Sequence, residues 1–141
     1  MTLTKVRNLF EAARRTSRIR KEMAELDRGV TLRAAPRHPD PASWPDTGIH
    51  AAWIGHATVL LKINGLWILT DPVLSRKVGI RVAGHTVGPR RPVLPALRIE
   101  EIPRPDLLLL SHAHFDHLDL PTFRRIPRDV PVVSAHGLGD L

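Results

Sequence analysis

A run of ligand-type side chains closely follows a short apolar segment of this chain. Leu107–Leu110 are four consecutive leucines, a length typical of a strand buried on both faces. One residue later the chain reads His-Ala-His-Phe-Asp-His, which holds four potential metal ligands. Because residues two apart on extended backbone project to the same side, His112 and His114 can converge on one cation. Asp116 and His117 fall on the turn beyond and can address a second cation.

Composition decides which metal chemistry these side chains can support. The chain contains no cysteine, which excludes a disulfide framework, a thiolate nucleophile and cysteine-ligated zinc. Imidazole ligands favour zinc, and iron or manganese stay open where carboxylates share the site. Chance clustering of surface histidines is the alternative, but three His and one Asp at a strand end have no evident structural use. We therefore interpret the run as a metal site.

Length and hydropathy fit a single packed domain. The 141 residues are 43% hydrophobic and 25% charged, which is enough apolar material for one core. No apolar run approaches the roughly 20 residues of a membrane span, and the first residues lack the apolar block of a secretory signal. These observations predict a cytoplasmic location.

The positive charge is concentrated near the N-terminus. Residues 1–37 hold ten Lys or Arg and four Asp or Glu, so they carry +6 of the net charge of +7. Apolar residues recur there at helical spacing, and prolines follow, which predicts a basic helical arm and a Pro-rich linker over residues 1–48. A solvated helix face explains this charge, and peripheral membrane contact through residues 1–28 is the alternative. Nucleic acid is not expected as a partner, because no stacking aromatic residues accompany the arginines.

The pattern changes to strands in the middle of the chain. Apolar runs cover residues 49–54, 58–63 and 66–69. The dipeptide Asn64-Gly65 separates the last two runs, and both of its residues tolerate positive φ. This arrangement predicts an antiparallel β-hairpin.

The second half of the chain is predicted to alternate loop, strand and helix. Residues 71–106 are rich in Pro, Gly and Arg, which predicts a long loop outside the packed core. A helix is predicted to begin near Asp119, whose carboxylate can cap the first amides. Residues 130–135 are predicted to form another buried strand.

Four sequence blocks near the ligands narrow the interpretation. They are Trp53-Ile54-Gly55-His56-Ala57-Thr58-Val59, Ile68-Leu69-Thr70-Asp71-Pro72, Gly88-Pro89-Arg90-Arg91 and Ser111-His112-Ala113-His114-Phe115-Asp116-His117-Leu118-Asp119. Through these blocks residues 49–141 resemble the metallo-β-lactamase superfamily, and within it the bacterial relatives of N-acyl-phosphatidylethanolamine phospholipase D. The resemblance implies an α/β fold, namely the N-terminal half of a four-layered αβ/βα sandwich. Residues 49–141 would then be an incomplete domain preceded by the basic arm.

The resemblance also implies an activity and a division of the ligands. It implies a metal-dependent hydrolase of the phospholipase D-like branch, a phosphodiesterase that uses a metal-activated hydroxide on a phospholipid-like or small-molecule anionic substrate. It assigns His112 and His114 to one metal. It assigns Asp116 and His117 to the other metal and makes them the catalytic residues. Two zinc ions are expected in the full-length protein, with iron or manganese as alternatives.

The same resemblance also assigns further residues to the neighbourhood of the site. His56 and Asp71 are expected behind the ligands, orienting them. A buried histidine satisfied by backbone and an ordinary turn aspartate are the respective alternatives. Arg90 and Arg91 are candidates for holding an anionic substrate, and solvation of a loop explains them equally well. His136 follows a predicted strand in a Gly-rich stretch unlike the family's later ligand blocks, and it is not assigned as a ligand.

The chain ends before the family's later ligands. We therefore expect the partner of this chain to be the missing C-terminal half of the fold. Without that half, the chain is expected to be inactive and to leave one apolar face of its sheet uncovered. The residues expected on that face are Val59, Leu61, Leu108, Leu110 and Val132. The competing interpretation is a non-catalytic fragment whose basic arm binds nucleic acid or an anionic membrane.

Overall fold

The computed structural model describes residues 14–15, 17–19, 21–25, 27–82 and 85–138. Its regular elements are short, and most of them are strands. In chain order they are a 3-10 turn at Pro41–Ser43, β1 (Ile49–Gly55), β2 (Thr58–Ile63), β3 (Leu66–Thr70), β4 (Ile80–Val82), β5 (His85–Val87), a 3-10 turn at Ile99–Glu101, β6 (Leu107–Leu110), α1 (Leu120–Phe123) and β7 (Val132–Ser134). Five strands form one sheet in the order β1-β2-β3-β6-β7, and β4 pairs with β5 separately.

The first three strands form an antiparallel meander. The predicted hairpin is confirmed, because β2 and β3 pair in a register that places Ile63 opposite Leu66. Asn64 and Gly65 make the turn with φ of 47° and 87°. A two-residue turn with both φ values positive matches the right-handed twist of the strands that it joins.

The second part of the sheet is parallel, and this change in direction creates the site. β6 pairs in parallel with β3, and β7 pairs in parallel with β6. Strands that run in parallel end at the same edge of a sheet. Asp71, directly after β3, and Ser111, directly after β6, are therefore neighbours although they lie 40 residues apart in the sequence.

The crossover between β3 and β6 packs into the core, so the prediction of a loop outside the core is wrong. Val73, Leu97 and Ile102 are 0%, 1% and 8% exposed. Together with Ile126 and Val130, which follow α1, Leu97 and Ile102 pack against the apolar side chains on one face of the sheet. This core consists of Ile54, Leu60, Leu69, Leu97, Ile102, Leu108, Ile126 and Val130. Because a helix of only four residues follows β6, apolar crossover residues cover the sheet instead.

The opposite face of the sheet is apolar and is not covered by the described residues. Trp53 is 68% exposed, Leu66 is 59% exposed and Val133 is 57% exposed. Three of the residues predicted for the uncovered face, Leu108, Leu110 and Val132, lie instead on the covered face, where Leu108 and Leu110 are buried.

The strand predicted near the end of the chain is shorter than expected, and it is not buried. It covers Val132–Ser134, and all three of its residues are exposed. Val132 is paired with Leu108, yet it is 42% exposed. The reason is its place in the strand order, because β7 lies at the edge of the sheet formed by the described strands and has β6 as its neighbour there.

The helix after the ligand run begins where it was predicted to begin, but its cap works differently. Asp119 is the N-cap residue, and its carboxylate makes no hydrogen bond to the helix amides. Asp119 Oδ2 instead accepts hydrogen bonds from the Thr122 hydroxyl at 2.5 Å and from the Ser75 backbone amide at 3.1 Å. The buried carboxylate therefore joins α1 to the crossover.

The N-terminal segment is helical at residues 14–15, 17–19 and 21–25. Among the described residues, no helix has the length and apolar character needed to cross a membrane. Beyond this helical segment, the Asp27 carboxylate pairs with Lys77 and Arg90, both at 3.2 Å. Arg33 bridges to Val93 in the crossover. A separate basic arm with a boundary at residue 48 stays a prediction.

Candidate metal centre

The candidate site lies where β3 and β6 end. β6 delivers Ser111 and His112, and a tight turn follows in which the amides of His117 and Leu118 both donate to the His114 carbonyl at 2.8 Å. This turn folds the ligand run back on itself. The ring centroids of His112 and His114 are 4.5 Å apart, and those of His112 and His117 are 4.0 Å apart.

Among the described residues, two groups of three donor atoms meet the spacing of a metal site. His112, His114 and Asp116 form one group, and His56, Asp116 and His117 form the other, with all donor atoms of a group within 4.8 Å of one another. The four residues predicted as ligands are therefore brought together. His112 and His114 fall in one group, His117 falls in the other, and Asp116 belongs to both. The predicted division of the four residues between two metals stays a prediction.

Asp71 lies directly behind His117, where it was predicted to orient a ligand. Asp71 Oδ2 accepts hydrogen bonds from the His117 Nδ1–H at 2.9 Å and from the Ser111 hydroxyl at 2.8 Å. Its other oxygen accepts from the Ser111 amide at 2.8 Å. In a neutral imidazole whose Nδ1–H donates to a carboxylate, Nε2 is the unprotonated nitrogen and the one that can bind a cation.

Both aspartates of the site are held as carboxylates. Burial alone would raise the pKa of Asp71, but its hydrogen bonds from His117 and Ser111 outweigh burial and lower that pKa below its ordinary value. For Asp116, burial also acts to raise the pKa, and it is outweighed by a hydrogen bond from the residue's own backbone and by the nearby His117 and His56. Ionised oxygens and neutral imidazoles are the forms that bind metal.

His56 lies beside the ligand run, on the turn between β1 and β2. Its Nε2 is 3.4 Å from Asp116 Oδ2, and its ring is 5.7 Å from that of His117. The side chain is 43% exposed, so it is not a buried histidine satisfied by backbone. His56 therefore approaches the same carboxylate oxygen as His117. The predicted position behind the ligands would have placed its ring farther from that oxygen.

The two candidate substrate arginines have different surroundings. Arg91 is buried and donates to the Val73 carbonyl oxygen at 2.5 Å, so solvation of a loop does not describe it. Burial lowers the pKa of its guanidinium, against the opposing effect of Asp119. Arg90 is exposed, and its Nε pairs with Asp27. A substrate role for either residue stays a prediction.

Two hydroxyl residues were not singled out from the sequence. Besides its bond to Asp71, Ser111 Oγ lies 2.9 Å from Nδ1 of His112 and 3.1 Å from Nδ1 of His117. It thus contacts two histidines of the run. Thr58 is fully buried, donates to the Asp71 carbonyl oxygen at 2.7 Å and accepts from the Val73 amide at 3.0 Å. Their only sequence signal is their position inside the blocks that also contain His56 and His112. His136 is exposed after β7 and belongs to neither donor group.

The donor set fits a divalent cation such as zinc. Two ligand atoms about 2.0–2.1 Å from a tetrahedral zinc lie about 3.3 Å from each other. The distances from Asp116 Oδ2 to Nε2 of His56 and of His117 are 3.4 Å and 3.6 Å, close to that spacing. A set of imidazoles and carboxylates is also accepted by iron and manganese, so the donors fix the class of metal and not its identity.

Comparison with known proteins identifies a family and several relatives of this chain. Residues 66–141 match the family model described as the beta-lactamase superfamily domain. The chain is 37% identical over 89 residues to N-acyl-phosphatidylethanolamine-hydrolyzing phospholipase D 1 of Caenorhabditis elegans, a match that covers 63% of this chain and 24% of that protein. It is 38% identical over 90 residues to a UPF0173 metal-dependent hydrolase of Exiguobacterium sp., covering 64% of this chain and 33% of that protein.

A solved structure is also similar over part of its length. The isothiocyanate hydrolase from Delia radicum gut bacteria aligns with a TM-score of 0.48 and 25% identity, covering 60% of this chain and 33% of that chain. The chain thus spans about a quarter to a third of these relatives. Because the family model covers more than half of the chain and includes the whole ligand run, this protein belongs to the beta-lactamase superfamily.

Proposed function

We propose that this chain carries metal-binding residues of a hydrolase that cleaves a phosphodiester bond in a phospholipid-like anionic substrate. The observation that carries the proposal is the pair of three-donor groups around Asp116 at the carboxyl end of β6. Two relatives named as N-acyl-phosphatidylethanolamine-hydrolyzing phospholipase D, from Caenorhabditis elegans and from Saccharomyces cerevisiae, support the substrate class.

Some residues of this site would bind the cations, and others orient the binding residues. A bound divalent cation supplies a water of lowered pKa and polarises an oxygen of the scissile group. His112, His114, Asp116 and His117 would hold cations at this edge of the sheet. Asp71 fixes the tautomer of His117 through its Nδ1–H, and it also anchors Ser111 by two hydrogen bonds. The ligand run is thereby preorganised from behind by a buried carboxylate.

The position of the donors suits a bulky substrate. His114 and Phe115 are exposed, and His56 is exposed on the neighbouring turn. A lipid headgroup can therefore approach this edge from solvent, while its phosphate would meet the cation-binding side. Anionic oxygens are the ligands that hard or borderline divalent cations accept readily.

The test is zinc binding by the 141-residue chain and its effect on a phosphodiester probe. We expect zinc to bind, and we expect diethyl phosphate to bind the zinc-loaded chain and not the chelated chain. His114→Ala and Asp116→Ala should lower the zinc stoichiometry measured by elemental analysis, because each removes a donor. His136→Ala is the matched control and should leave the stoichiometry unchanged.

The competing interpretation predicts a different pattern. If the basic N-terminal segment were the functional part, binding of anions would persist after chelation and would fall steeply with salt. A chain that holds no zinc, or one whose zinc content is the same in the His114→Ala and Asp116→Ala variants, would contradict the proposed metal centre.

A further inference from the structure

We propose that His56 is itself a metal ligand, the third donor to the cation addressed by Asp116 and His117. This inference rests on the proposed function, since it requires that the site binds metal. It goes beyond the ligand run, because His56 lies 60 residues before Asp116 in the sequence and on a different turn. The position expected for it was behind the ligands, and the structure instead places its ring nitrogen among the donor atoms.

The first argument is the convergence of two imidazoles on one oxygen. Nε2 of His56 and Nε2 of His117 lie 3.4 Å and 3.6 Å from the same atom, Asp116 Oδ2. A direct hydrogen bond between nitrogen and oxygen has a length of about 2.9 Å, and ligand atoms around a zinc ion are about 3.3 Å apart. The observed distances fit the second arrangement better.

The second argument is the backbone of His56. Its φ is +54°, a left-handed conformation that costs a non-glycine residue about 1–2 kcal/mol. The turn is held by the Trp53 indole N–H, which donates to the His56 carbonyl oxygen at 2.6 Å. Strained backbone that the surroundings enforce is typical of sites where a side chain must be aimed. Asn or Gly would make this turn at lower cost, but neither carries an imidazole.

A simple ion pair between His56 and Asp116 explains the arrangement less well. Both side chains are more than 40% exposed, and an exposed pair is worth little because solvent screens it. The pair also leaves the approach of His117 to the same oxygen unexplained, whereas a shared cation accounts for all three donors.

The consequence is a higher donor count for this chain. Four ligands divided between two cations would give each cation two protein donors, fewer than the three that catalytic zinc takes. With His56 included and Asp116 shared, each of the two groups has three donors. The 141-residue chain should therefore hold the second cation more tightly than the ligand run alone would allow.

The experiment measures zinc affinity of the full 141-residue chain by competition with a chromophoric chelator. His56→Asn removes the imidazole and keeps a side chain that tolerates the left-handed turn. His136→Asn is the matched control, and His114→Asn reports on the other donor group. We expect His56→Asn to weaken one zinc site at least about tenfold, as the loss of even an orienting partner does. His136→Asn should have no effect.

A second measurement separates a ligand from a residue that only positions Asp116. In nitrogen-15 spectra of the histidine rings, zinc should shift the Nε2 resonance of His56 together with that of His117. Circular dichroism of His56→Asn and of His56→Gly should match the parent chain, which would show that both variants keep the secondary structure of the parent.

The outcomes distinguish this inference from the proposed function. If the parent chain binds zinc and His114→Asn weakens it, while His56→Asn binds as tightly as the parent, the ligand role of His56 is overturned and the metal centre stands. A His56 resonance that zinc leaves unmoved overturns the ligand role as well. If the parent chain binds no zinc, both the inference and the proposed function fail.

Discussion

Both faces of the five-stranded sheet carry large apolar side chains, but the surroundings of the two faces are opposite. On one face Leu60, Leu69 and Leu108 are almost completely buried beneath the crossover and the residues after α1. On the other face Ile49, Trp53 and Leu66 stand between 59% and 73% exposed. Paired residues on neighbouring strands share a face, so Ile49, Ile63 and Leu66 form one apolar row.

The strands therefore have the composition of a sheet that is buried on both faces, although the described residues cover only one of its faces. Strands exposed to water on one face normally alternate apolar and polar residues. β2 does not alternate in that way, since Val59, Leu61 and Ile63 face the open side. An apolar face of this size is typical of a surface that packs against another layer of protein.

The largest effect should come from truncating the covered face. We expect Leu60→Ala to lower the free energy of unfolding by roughly 2–5 kcal/mol, because it leaves a cavity in the packed core. Leu61→Ala, the matched change one residue along on the open face, should cost about 1 kcal/mol or less. Urea denaturation of both variants measures the two losses. Equal losses would contradict the assignment of the two faces.

A smaller effect should come from placing charge on the open face. We expect the 141-residue chain to self-associate through this face, and we expect Leu66→Lys to weaken that association at least about tenfold, or ~1.4 kcal/mol. Leu32→Lys is the matched control, since Leu32 is 43% exposed and lies outside the sheet. Sedimentation velocity over a range of concentrations measures the change. Association that is equally insensitive to both variants would place the contact elsewhere.

The smallest effect concerns the attachment of the crossover that covers the buried face. Burial acts to raise the pKa of Asp27, but the Arg90 amide and the Lys77 ammonium outweigh it, and the pKa is lowered. The contact therefore stabilises the fold above the unfolded-state pKa of about 3.9, and this stabilisation is lost as the pH falls through the lower, folded-state pKa.

Comparing Asp27→Asn with the parent chain tests this attachment. We expect the variant to lose about 1 kcal/mol at pH 7 and progressively less as the solution is acidified below pH ~4. Thermal unfolding of the two chains at each pH, in the presence of a chelator, measures the difference in stability without interference from metal. A difference between the chains that stays constant down to pH ~3 would show that the Asp27 charge does not contribute.

Local sequence signals predicted the parts of the fold that depend on neighbouring residues. The hairpin could be located because Asn64-Gly65 has a backbone preference that few other dipeptides share. The ligand run could be located because its side chains have no apolar use. The crossover was mispredicted, since Val73 and Leu97 are scattered among prolines and arginines and become core residues only when the sheet lies beneath them.

The chemistry available to this protein can be read from its residues alone: imidazole and carboxylate donors, with no thiols, follow a strand of leucines. Which of these donors meet depends on how the strands are arranged in three dimensions. The parallel pairing of β3 and β6 brings Asp71 to Ser111 and His117, and the β1–β2 turn brings His56 to Asp116. Distances between residues 40 to 60 positions apart depend on strand order and turn geometry, because loop length alone constrains the separation of chain positions only weakly.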